Sequence, residues 1–161
     1  MARKVFFSFH YQRDIFRVNV VRNSGVVEGS AAAGFHDASL WEEAKKKGEA
    51  VVKKLIDDAL NGTTVTVVLI GAETANRKYV DYDIKQSLAR GNGLLGIHID
   101  QIPTPQNARD TRGRVPAGLT SAGAPVYDWD RSKFGAWVET AFQEAQKKKS
   151  SSSTASWMPR P

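Results

Sequence analysis

A chain of 161 residues with 41% hydrophobic content is long enough to bury a core as a single domain. It contains no cysteine, which excludes a disulfide framework, a thiolate nucleophile and a thiolate metal site. The net charge of +6 suits an anionic partner such as a nucleotide or an acidic surface. Six of the positive charges lie in two runs, Lys45 to Lys47 and Lys147 to Lys149, which read as solvated faces rather than a nucleic-acid interface. No apolar run approaches the length of a membrane span, and Met1 to Val5 passes straight into a strand pattern, so the expected setting is the reducing cytoplasm.

In chain order, Lys4-Val5-Phe6-Phe7-Ser8-Phe9 is apolar on both faces, the pattern of a central strand in a parallel sheet. Ser8, His10 and Tyr11 follow at its carboxyl end, where parallel sheets present groups to ligands. Asp14 is placed to cap a helix carrying Ile15, Phe16, Val18, Val20 and Val21. Residues 24–34 are rich in Gly, Ser and Ala and read as loop, followed by a short strand over 34–37. Ser39 and Glu42 form a capping box for one long helix with a stripe from Trp41 to Ala59, ended by Asn61-Gly62.

Val65 to Ile70 is a buried strand, residues 79–88 a helix, and Leu94 to Ile99 a second buried strand. Together they make a βαβ unit. On that helix Tyr79, Tyr82, Asp83 and Gln86 share one face, while Val80, Ile84 and Leu88 lie on the face expected to meet the sheet. Residues 100–125 form a long loop with Arg109, Arg112 and Arg114, either a phosphate-meeting segment or an exposed basic loop. A strand near 125–127 and an amphipathic helix through Phe134, Trp137, Val138, Ala141 and Phe142 close the domain at about residue 149, leaving 150–161 as a flexible tail.

Several chemistries lack their residues. No GxGxxG follows the first strand, no GxxxxGK[ST] or GxSxG occurs, and His10, His36 and His98 have no metal-ligand spacing. What remains is a carboxylate beside two aromatic hydroxyls at the end of a parallel sheet.

The blocks at residues 4–11, 16–23, 37–42, 67–71 and 93–99 resemble the TIR-like domain family of bacterial antiphage defence, in particular the TIR proteins of Thoeris systems. The likeness spans roughly residues 3 to 142. It implies an α/β, three-layer flavodoxin-like (TIR-like) fold, with a central parallel sheet of about five strands flanked by helices. It further implies cleavage of NAD⁺ and production of a cyclic ADP-ribose isomer, which activates a separate NAD⁺-depleting effector. NAD⁺ is then the substrate, with no other cofactor and no metal. The implied partners are the effector, reached through the diffusible nucleotide, other TIR domains and a phage-derived trigger, with no membrane and no nucleic acid.

The family's catalytic motif falls on Tyr79, Tyr82 and Asp83, with Ser8, Phe9, His10 and Asp37 around the substrate. Tyr79 stands where the family has tryptophan, and Asp83 where it has glutamate, one methylene shorter. The second departure keeps an alternative in view: a catalytically weak adaptor or assembly module that binds nucleotide or other TIR domains.

Overall fold

The computed structural model describes residues 3–24, 38–106 and 109–157. The elements run β1 (Val5–Ser8), α1 (Tyr11–Arg22), α2 (Ala38–Lys47), α3 (Glu49–Leu60), β2 (Val65–Ile70), α4 (Lys78–Arg90), β3 (Gly93–His98), α5 (Ala117–Ser121), β4 (Val126–Asp128) and α6 (Arg131–Trp157). The four strands pair in the order β1-β2-β3-β4, all parallel, with Ser8 opposite Val68 and Ile70 opposite His98. Strand–helix–strand connections force this arrangement, since parallel neighbours need long crossovers.

Alternation along the strands sorts the side chains into two layers. Val5 and Phe7 of β1 join Val65, Val67 and Leu69 of β2 and Leu95 and Ile97 of β3 in one core, closed by Val18 and Val21 of α1 and by Phe134 and Val138 of α6. On the other face Phe6 packs with Val52, Ile56 and Leu60 of α3. There too, Val68, Ile70 and Leu94 pack with Val80 and Ile84 of α4 and Leu119 of α5. The result is the expected three-layer α/β architecture. Thr66, the one polar residue within β2, is fully buried, where its hydroxyl pairs with that of Ser87 at 2.6 Å and accepts from Asn92 at 3.2 Å.

Several expectations change. Four strands are seen among the described residues; the strand expected over 34–37 lies outside them. β1, expected centrally, is an edge of the described sheet, and β2 and β3 hold the centre. The single helix expected from Ser39 to Ala59 is two helices, because Gly48 takes φ +116°, a left-handed conformation that ends α2 and starts α3. Leu88, expected against the sheet, is 48% exposed, whereas Ser87 faces inward.

The 100–125 segment is partly structured. Its loop is stitched down by Asp110 N–H to Asp100 O at 2.8 Å and by Arg17 Nε to Ile102 O at 2.6 Å, before the chain enters α5. α6 continues in helical backbone to Trp157, past the expected domain end at 149.

Candidate active site

β1 is all buried, and its alternation puts Ser8 on the same face as Phe6, the face covered by α3 and α4. Phe9 points the other way and packs against the α1–α6 core. α4 begins after Arg77, whose extended ψ of 126° closes the loop from Gly71. One and a half turns into α4, Asp83 is carried inward rather than onto a wet face. Its residue is 6% exposed, and Ser8 Oγ donates to its Oδ2 at 2.6 Å. Oδ1 is buried with no hydrogen-bond partner among the described residues. Burial pushes the Asp83 carboxyl up to about 8; the Ser8 hydrogen bond opposes this and the nearby Asp57 charge adds to it.

The other expected site residues divide. His10 is the N-cap residue of α1, half-buried just beyond β1, and its backbone carbonyl accepts from Asp14 N–H. Desolvation lowers the His10 imidazole below its ordinary value, and the Arg77 charge adds to this, against Asp14 and Glu73. It is therefore neutral at pH 7. Tyr79 and Tyr82, expected to stand off the core, lean on the α2–α3 cluster. The Tyr82 hydroxyl donates to Asp57 of α3 at 2.8 Å, and its own pKa is raised to about 12, first by desolvation and then by that contact. Asp37 lies outside the described residues.

Residues that the sequence reading did not assign to the site complete the sheet edge. Asp14, expected as a cap, sits inside the first turn of α1, 1% exposed. Its Oδ1 meets Arg13 at 3.1 Å, while a Cβ on Gly71 would strike its carboxylate. Arg13 also reaches Glu73 at 2.9 Å and Asp110 at 2.5 Å. Across β3, Asp100 is 1% exposed and lies 3.5 Å from Arg112, which pairs with Asp128 at 2.7 Å. The sign in the sequence was position: Asp14 and Asp100 each lie within a few residues of a strand's carboxyl end, where a buried acid is more than a cap.

A buried carboxyl with one unpartnered oxygen, at the carboxyl edge of a parallel sheet, suits stabilisation of developing positive charge once it is ionised. Residues 6–104 match the family model described as Thoeris protein ThsB, TIR-like domain.

The chain belongs to this ThsB TIR-like family.

A curated relative from Bacillus cereus (strain MSX-D12), named "Putative cyclic ADP-D-ribose synthase ThsB1", is 56% identical over 150 residues, covering 88% of this chain and 78% of the relative. The ThsB match takes in β1 to β3 and α1 to α4, so it includes Ser8, His10 and Asp83.

Proposed function

We propose that this protein, as a Thoeris defence protein, cleaves NAD⁺ and makes a cyclic ADP-ribose isomer, a signal that activates a separate NAD⁺-depleting effector. The observation that carries the reading is Asp83: a buried carboxyl, anchored by Ser8 through one oxygen and with the other buried and unpartnered among the described residues. The name of the 56% identical relative supports it.

In this reading nicotinamide leaves C1′ of its ribose as a neutral base, taking the electron pair of the glycosidic bond. The ribose becomes oxocarbenium-like, and the Asp83 carboxylate stabilises that cation, as carboxylates do in glycoside hydrolysis. A nucleophilic atom of the remaining ADP-ribose then bonds to C1′ and closes the ring, releasing to water any proton that atom carried. Ser8 holds the carboxylate in place, the half-buried His10 and the aromatic face of Tyr79 border the substrate, and Phe9 and Tyr82 support those groups from behind. Asp37 is assigned to the substrate by resemblance. NAD⁺ is the substrate and no further cofactor or metal is invoked. The phage-derived trigger, contact between TIR domains and a cytoplasmic setting belong to the same reading; no helix among the described residues is long and apolar enough to cross a membrane.

One observation favours the adaptor reading: at pH 7 a carboxyl held near 8 is mostly protonated and supplies little charge. The test is incubation of the purified protein with NAD⁺, alone and with extract of phage-infected cells, following nicotinamide and cyclic products by mass spectrometry. Product under either condition supports the enzyme; none under both favours the adaptor.

A further inference from the structure

Beside the Asp83 site, and not used by it, a cleft of about 450 Å³ opens between the loop that follows β2 and the loop that precedes α5. Three arginines line it, Arg77, Arg112 and Arg114, against a single acid, Glu73. Glu73 is already engaged by Arg13 at 2.9 Å and by Arg77 at 3.1 Å, so it is neutralised from both sides. Arg112 is fixed by Asp128 at 2.7 Å, which orients its guanidinium before any ligand arrives. Arg114 has no ion pair among the described residues, and it is exposed.

Backbone holds the two walls together. The carbonyl of Gly71 lies so close to Gly113 that any Cβ there would strike it. The arginine-bearing loop is thereby pressed onto the end of β2. Asn76, also on the wall, takes φ +70°, a left-handed turn that brings the chain round into Arg77 and α4.

We propose that this cleft is the diphosphate site of the dinucleotide, with Arg77 and Arg114 as the direct contacts and Arg112 as a fixed third charge. The inference rests on the NAD⁺ reading above and adds to it the part of the substrate that the Asp83 region leaves unaccounted for. Asp83 is six residues beyond Arg77 on α4, about 9 Å along the axis at the helical rise. That axial spacing is within the reach of a diphosphate carried on a ribose held at Asp83. The Arg77 charge is felt at the His10 imidazole, which places this wall of the cleft near the end of β1. Guanidinium forks match phosphate oxygens in pairs, which gives this ligand class its geometry as well as its charge.

The test is calorimetric titration of the full chain with ADP-ribose, which carries the diphosphate and has no nicotinamide to lose, and with adenosine, which lacks phosphate. Arg114→Gln weakens ADP-ribose about tenfold and Arg77→Gln/Arg114→Gln about a hundredfold, with adenosine unchanged. Lys147→Gln, which removes one charge from α6, stays within twofold. Inorganic pyrophosphate competes with ADP-ribose on the wild-type protein.

The proposal is overturned if the wild type does not bind ADP-ribose, if pyrophosphate fails to compete, or if the double variant binds ADP-ribose as tightly as the wild type. Arginine-dependent ADP-ribose binding by a protein that leaves NAD⁺ intact keeps the diphosphate site and removes the enzyme reading. NAD⁺ turnover with the same KM in wild type and Arg114→Gln keeps the enzyme and removes the site.

Discussion

Ser8 Oγ donates to Asp83 Oδ2 at 2.6 Å, and the other oxygen of that carboxyl meets no partner among the described residues. One hydrogen bond against full burial leaves the acid protonated up to about pH 8. If the ionised form is the working one, kcat/KM for NAD⁺ rises from pH 6, is half-maximal near pH 8 and levels about a unit above that. Asp83→Asn keeps the size, removes the charge, and lowers nicotinamide release about a hundredfold or more, with the pH slope gone. A flat profile in the wild type, or full turnover by the variant, takes the catalytic role from Asp83.

The same group has a consequence for stability. Its folded pKa is raised above the ordinary 3.8. Between that value and about 8 the folded state holds a proton that the unfolded chain has released. Stability from this source is full below pH 3.8 and is lost as pH rises toward 8. Asp83→Asn therefore melts several degrees above the wild type at pH 8, and the gap closes near pH 3.5. Melting curves across that range check it; a gap independent of pH contradicts it.

Ser8→Ala removes the hydroxyl that favours the ionised carboxylate. The limb of the pH–rate profile moves to higher pH, so turnover at pH 7 falls about tenfold and recovers substantially by pH 9. A loss equal at both pH values means that Ser8 acts through something other than Asp83.

The strands of the βαβ unit were legible because Val65 to Ile70 and Leu94 to Ile99 are apolar without interruption, a pattern that burial on both faces explains. The helix break at Gly48 was not, since a glycine inside an apolar stripe reads the same whether its φ is helical or left-handed. For Asp83 the residue was found and its surroundings were misjudged. Helical spacing grouped it with Tyr79 and Tyr82. The packing of α4 against both the sheet and α3 splits that face, taking Asp83 inward and the tyrosines toward α3. Arg13 was passed over because its partners Glu73 and Asp110 are 60 or more positions away and meet it only when three segments converge.

Two glycines at the sheet edge are predicted to resist any side chain. Gly71→Ala drives a methyl into the Asp14 carboxylate, and Gly113→Ala drives one into the Gly71 carbonyl. Each destabilises by about 1–3 kcal/mol, the range for overpacking, as measured by urea unfolding. Gly62→Ala is the contrast: its φ of +82° strains the backbone, but nothing stands in the way.

Tyr82→Phe loses the hydroxyl contact with Asp57 and leaves Asp83 with its Ser8 partner. Nicotinamide release stays within about threefold of wild type, whereas a loss of a hundredfold would place the phenol at the substrate.

Ser8 and Phe9 are neighbours in the chain and face opposite layers, the first toward Asp83 and the second toward the α1–α6 core. β1 is four residues long and bound to β2 in one alignment, Ser8 to Val68. A slip of one position would present an aromatic ring to the carboxylate and a hydroxyl to the hydrophobic layer. Such a chain would lose core packing and Ser8–Asp83 contact together, so this edge links correct folding to chemical competence: a misaligned copy would be inert rather than wrongly active.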